Sequence, residues 1–133
     1  MKVIDGEGAI MGRLASYIAK EALKGEEMII VNCEKIIITG NKKDIEKKFF
    51  EKRSKVGSGQ KGPKHSRDNE KVVKRIIRGM LPNHRKGRGK EAFRRIKCYV
   101  GVPKEFEELK KIVAGKEKPN KFLQIKEISK WIK

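Results

Sequence analysis

Residues 52–97 hold 17 Lys+Arg against 3 Asp+Glu, a net +14 out of +18 for the whole chain. Like charges repel, so this stretch cannot supply a core from its bulk. The core must come from the flanking segments and from narrow apolar stripes within the basic stretch. A surplus this concentrated also calls for a polyanion to neutralise it, and nucleic-acid phosphates are the usual counter-surface. A basic membrane-surface helix fits less well, because the apolar stripe at Val72–Met80 is narrow and is needed for the core.

A length of 133 residues fits one domain. Folding at that size removes roughly two-thirds of the unfolded surface from water. With 37% hydrophobic and 39% charged residues, the chain reads as a small globular body with a large wet or partner-covered surface. The longest apolar runs, Met28-Ile-Ile-Val31 and Ile36-Ile-Ile38, are far short of a membrane span. Asp5 and Glu7 interrupt any signal-peptide core, so an intracellular location is expected. Cys33 and Cys98 form neither a CxxC pair nor a metal spacing and read as small buried hydrophobes.

Along the chain, residues 2–5 are a strand candidate. Met11, Leu14, Ala15, Ile18, Ala19, Ala22 and Leu23 then share one helical face, which Gly25 ends. Residues 27–33 suit a buried strand and residues 36–39 another. Only Glu34-Lys35 separates these two runs. Parallel neighbours need a crossover of about a dozen residues, so the runs either form a hairpin or do not pair. Asn41 with Asp44 suggests the start of a helix seating Ile45 and Phe49. Residues 56–67 read as a loop. Val72, Val73, Ile76, Ile77 and Met80 mark the clearest amphipathic helix, with Pro82 as its stop.

After a basic glycine loop, Ala92, Phe93 and Ile96 suggest a short helix. It runs into a strand with Cys98, Val100 and Val102 on one side. Phe106, Leu109, Ile112 and Val113 fit another helical stripe. Residues 115–120 read as a connector, and Ile125, Ile128 and Ile132 as a last helix. The order strand–helix–strand, then helices and a late strand, predicts an α/β layered domain.

Gly6-Glu-Gly-Ala-Ile-Met-Gly12 fits GxGxxxG between a strand and a helix, with Glu27 or Glu34 as a ribose-binding acid. This is the rival reading, a small nucleotide-binding α/β enzyme domain with a pyrophosphate on the helix N-terminus. Against it stand the variant spacing, the negative charge of Glu7, and a chain too short for a second half and a substrate domain. His65 and His84, the only histidines, lie in basic loops without metal-ligand partners. No catalytic residue, metal ligand or cofactor is nominated.

The basic stretch includes 8 Arg, whose planar fork suits phosphates and guanine edges. It alternates with glycines that let backbone N–H groups approach a phosphate. No helix-turn-helix, zinc-finger or RNP-type pattern is present. Irregular cationic loops suit folded RNA better than a regular duplex groove. A DNA-binding protein remains a third alternative.

Seven segments, in order and spacing, resemble one family. They are Gly12-Arg-Leu-Ala-Ser16, Val31-Asn-Cys-Glu-Lys35, Thr39-Gly-Asn41, Lys61-Gly-Pro63, Arg78-Gly-Met-Leu-Pro82, Arg88-Gly-Lys-Glu-Ala-Phe93 and Tyr99-Val-Gly-Val-Pro103. The family is the large-subunit ribosomal protein 13 family, in its archaeal form, and the resemblance covers roughly residues 2–105. It implies a three-layer α/β/α domain around a small, mainly parallel four-stranded sheet. It implies one domain over residues 1–133, with RNA-binding loops at 54–67 and 78–97. The expected partners are large-subunit rRNA and neighbouring large-subunit proteins in the cytoplasmic ribosome, with no membrane, no small-molecule substrate and no catalysis. A role in early subunit assembly is also implied, and the GxGxxxG glycines become an ordinary strand-to-helix turn. Where the family pattern has an aromatic after Leu-Pro, this chain has Asn83.

The expected RNA-binding residues are Arg78, Gly79, Arg85, Lys86, Gly87, Arg88, Gly89, Lys90, Arg94 and Arg95. Lys61, Lys64, Arg67, His84 and Arg13 stand behind them.

Overall fold

Short β-branched runs next to glycine turns make parallel strands, and the parallel strands make the centre of this fold. The computed structural model describes residues 1–55, 65–115 and 119–131. The elements are β1 (Lys2–Asp5), α1 (Met11–Leu23), β2 (Met28–Val31), β3 (Ile37–Thr39), α2 (Lys42–Ser54), α3 (Asn69–Gly79), α4 (Gly87–Arg94), β4 (Ile96–Cys98), β5 (Lys111–Val113), β6 (Phe122–Gln124) and α5 (Ile125–Trp131). Strands β4-β2-β1-β5 form one all-parallel sheet, and β3 pairs antiparallel with β6 in a separate ribbon.

The middle strand β2 is buried at every position, as a strand covered on both faces must be. Side chains alternate across the sheet. Ile4, Met28, Ile30, Ile96 and Cys98 join α1, α3 and α4 in the main core. Val3, Ile29 and Val31 face the other way, against Phe106, Tyr99 and Val102. Helices therefore cover one face, and the segment after β4, with a 3-10 turn at Lys104–Phe106, covers the other. The expected three-layer α/β/α arrangement around a four-stranded sheet is present, with a thin second outer layer. A satellite core of Ile45, Leu123 and Ile128 ties α2 and α5 to the β3–β6 ribbon.

The two runs around Glu34-Lys35 do not pair with each other. Asn32 takes φ 56, a left-handed conformation that suits Asn, and a 3-10 turn at Cys33–Lys35 follows. Asn32 Nδ2 donates to Asp5 Oδ1 at 2.9 Å, which joins the ends of β1 and β2. The chain then leaves the sheet, and β3 finds β6 instead.

Other expectations need correction. Phe106, Leu109, Ile112 and Val113 are not a helical stripe, because Lys111–Val113 is strand β5, paired with β1. The open edge of β1 offers backbone hydrogen bonds that a lone marginal helix cannot match. Strand β4 stops at Cys98, and Val100 is exposed, because Gly101 (φ 70) turns the chain. Asn41 precedes α2, but its side chain donates to Asp44 Oδ2 at 3.3 Å rather than capping a backbone N–H. Residues 78–97 are not a loop. They comprise the end of α3, a short turn, α4 and β4.

Gly89 explains how a glycine-rich segment holds a helix. A Cβ there would fall 2.6 Å from the Asn83 carbonyl oxygen and closer still to that of Pro82. The bare backbone lets α4 pack onto the turn that precedes it. Gly12 in α1, by contrast, has nothing within 4 Å of a Cβ position. Gly89→Ala is expected to cost about 1–3 kcal/mol in urea unfolding. Gly12→Ala is expected to leave stability unchanged or raise it by about 0.5–1 kcal/mol. Equal effects at the two sites would contradict the packing account.

Glu21 pins α1 to the start of β1. Lys2 Nζ lies 2.5 Å and Lys24 Nζ 3.0 Å from its carboxylate. The hydrogen bonds from Lys2 and Lys24 lower its pKa from 4.5 to about 2. A depressed carboxylate pKa stabilises the fold above the unfolded value and is lost as the pH falls through the folded one. Stability should therefore decline between pH 4.5 and about 2, and Glu21→Gln should flatten that part of the profile in urea titrations. An unchanged profile would show that the ion pairs contribute nothing.

Candidate nucleic-acid interface

The outer surface of α3, the turn after it and α4 forms a continuous cationic face on an apolar base. Val72, Val73 and Ile77 bury one side of α3, and Ala92 and Gly89 bury one side of α4. Leu81, almost fully buried, anchors the turn between them. Asn83 builds that turn, since its Oδ1 accepts from the Arg85 N–H at 3.1 Å. Gly87 enters α4 at φ 63, which favours glycine.

With the core side fixed, the charged positions point outward. Arg85, Lys86, Arg88, Lys90 and Arg94 are exposed and Arg78 is half-buried. Among the described residues, the ion pairs of this region are Lys71–Asp68 at 2.9 Å and Arg95–Glu91 at 3.8 Å. Arg78, Arg85, Lys86, Arg88, Lys90 and Arg94 appear in none. Six cations thus share a face without compensation from the described residues.

Phe93 lies half-buried within this face. The Lys74 ammonium sits 4.8 Å from its ring centroid, and the His84 ring meets it edge-on at 6.3 Å. Burial, then the neighbouring charges of Arg78 and Arg85, lower the His84 pKa, so its imidazole is neutral at neutral pH.

The remaining expected residues divide. Arg95 serves the fold: its Nη1 donates to the Ala22 carbonyl oxygen at 3.2 Å, at the C-terminal end of α1. Gly89 is buried and occupied by packing. Gly79, at the end of α3, has open space around it and no positive φ. Arg67 is exposed, while its carbonyl oxygen accepts from Ser129 Oγ at 2.6 Å. Arg13 stands apart, lining a groove of about 420 Å³ between α1 and β5 with Leu14, Tyr17 and Ile112. Lys61 and Lys64 lie outside the described residues.

Sequence reading missed a second groove, of about 210 Å³, between α2 and α3. Lys52, His65, Lys71 and Arg75 border it, beside Phe49 and Ile76. The signal was present: Lys71, Arg75 and Gly79 recur every four residues on the outward face of α3. By spacing alone it is indistinguishable from the polar side of an amphipathic helix.

The glycines of the GxGxxxG stretch are explained by the fold. A Cβ on Gly6 would sit 2.8 Å from Ile36, and Gly8 takes φ 72. Cys33 and Cys98 are buried free thiols. Hydrogen bonding with Cys98, then burial, pushes the Cys33 thiol up, away from a reactive thiolate. Among the described residues, no three of His, Cys, Asp and Glu gather into a metal-binding group, and no helix is long and apolar enough to cross a membrane.

Comparison with known proteins points to one family. The family described as Ribosomal protein L13 matches residues 1–105. The chain is 47% identical to the large ribosomal subunit protein uL13 of Methanocaldococcus jannaschii, over 99% of this chain and 97% of that one. It is 51% identical to the uL13 protein of Methanococcus maripaludis over 77% of each chain. With that of Archaeoglobus fulgidus it shares 40%, over 98% of this chain and 86% of the other. The likeness thus runs past residue 105 into the C-terminal segment. The chain belongs to the ribosomal protein L13 family.

Proposed function

We propose that this chain is a structural constituent of the large ribosomal subunit in the cytoplasm, and that it binds and helps fold large-subunit rRNA during assembly and translation. The family membership supports the ribosomal setting. The observation that carries the RNA reading is the set of six cations on α3, α4 and their turn that form no ion pair among the described residues. Arg78, Arg85, Lys86, Arg88, Lys90 and Arg94 neutralise phosphates. Gly79 and Gly87 give the RNA backbone close access, and His84 with Phe93 offers an apolar patch beside the charge. Gly89 and Arg95 act indirectly by holding α4 in place. Arg13, Arg67, Lys61 and Lys64 extend the contact to other rRNA segments, and neighbouring large-subunit proteins complete the setting.

This function is non-catalytic, with no cofactor or small-molecule substrate. A pyrophosphate at the GxGxxxG turn would have to compete for N–H groups already used. Gly6 donates to the Val31 carbonyl oxygen at 2.9 Å, Gly8 to that of Lys35 at 3.2 Å, Ala9 to that of Gly6 at 3.1 Å, and Glu7 to Asp5 Oδ1 at 3.0 Å. Adding NAD(P) should leave the melting temperature unchanged. A ligand-dependent rise would favour the cofactor reading instead.

Replacing Arg85, Lys86 and Arg88 together with Ala removes three phosphate contacts. Affinity for a large-subunit rRNA transcript should fall about 30- to 100-fold near roughly 0.15 M salt in filter binding. Thermal unfolding should barely change, since exposed unpaired side chains contribute little to stability. Wild-type affinity in the triple variant, or an equal loss of stability, would contradict the proposal. Duplex DNA as competitor should displace the transcript poorly.

A further inference from the structure

A groove lies between the C-terminal half of α2 and α3, where the half-buried Phe49 and Ile76 pack at the edge of the main core. It holds about 210 Å³, below the roughly 300–1,000 Å³ of pockets for drug-sized ligands, and so suits a single ring system. Phe49 walls it, Val72 and Ile76 line it, and Lys52, His65 and Arg75 stand around it. It reaches the cationic face through Gly79, which adjoins Arg78.

We infer that this groove receives one unstacked nucleobase of the bound RNA, with the base against Phe49 and its phosphate against the flanking cations. The inference rests on the RNA-binding reading above and adds a site to it. An aromatic and aliphatic interior ringed by positive charge matches a nucleotide, which has an apolar π-face and an anionic link. The Lys52 ammonium lies 5.9 Å from the Phe49 ring centroid, at the outer limit of a cation–π contact, so it can turn to a phosphate at little cost.

His65 adds a means of reading the base edge. Burial, then Arg75, Lys52, Arg78 and Arg53, hold its pKa below the ordinary value, so it is a neutral ring with one donor and one acceptor. Arg53 Nη1 donates to the His65 carbonyl oxygen at 2.9 Å and fixes this residue at the groove. Gly79 supplies an independent sign. Its φ is not positive and a Cβ there would meet nothing within 4 Å. Among the described residues no contact requires glycine at that point, and its bare backbone leaves the entrance of the groove open.

The test uses the full chain with Gly79→Leu, which narrows the entrance, and Phe49→Leu, which keeps apolar bulk but removes the stacking face. The probe is a large-subunit rRNA transcript, measured by filter binding at several salt concentrations and by ultraviolet cross-linking with peptide mapping. Each variant should bind about 5- to 100-fold more weakly at every salt concentration. The salt slope and, for Gly79→Leu, the melting temperature should be unchanged, and wild-type cross-links should map to Phe49 or His65. Wild-type affinity in both variants, with cross-links only on α4, would overturn the base site and leave the cationic face standing. Occupation of the groove by a neighbouring protein's side chain in the assembled subunit would overturn it too. A wild-type chain that ignores the transcript would remove the RNA reading and the base site together.

Discussion

Repulsion among unpaired cations is the constraint this structure is built to withstand. Arg78, Arg85, Lys86, Arg88, Lys90 and Arg94 share one face, and no carboxylate among the described residues pairs with them. Such a face is held flat only by what lies beneath it. Ile77 of α3 and Ala92 of α4 are fully buried under it, in one core with Ile96 of β4 and the apolar face of α1. Fully burying a side chain such as Ile77 contributes about 1.5–3 kcal/mol, more than one screened surface charge costs. Burial in the core thus outweighs repulsion at the surface, and the charge stays available to a partner.

The sheet serves this purpose by position more than by chemistry. β4 emerges beside β2 directly after α4, so the register Met28↔Ile96 and Ile30↔Cys98 sets where α4 lies. Arg95, at the junction, bonds back to the end of α1. Gly89 lets α4 rest on the Pro82–Asn83 backbone. The cationic helix is therefore held from both ends and from below.

The legible parts of the sequence were those whose periodicity had one physical reading. The α1 face from Met11 to Ala22 is buried as its spacing requires, and of the α3 stripe Val72, Val73 and Ile77 are buried and Ile76 half-buried, while Met80, at the helix end, is exposed. β5 was not legible. Ile112 and Val113 fit a helical spacing with Phe106 and Leu109, and only the free edge of β1, distant in sequence, decides for a strand. α4 was half hidden for a similar reason, since Gly87 and Gly89 read locally as loop. Gly87 in fact supplies a positive φ at the helix start, and Gly89 makes a close approach to Pro82. At the interface, net charge located the cations but could not sort them. Arg95 and Arg88 look alike in sequence, and only tertiary packing turns one inward.

The central claim is that uncompensated charge on α3 and α4 exists to meet RNA phosphates. The salt dependence of affinity for a large-subunit rRNA transcript tests it most directly. If about 8 phosphates are met, the logarithm of the association constant should fall against log salt with a slope of roughly −6 to −7. A slope near zero, or no binding in dilute buffer, would contradict it.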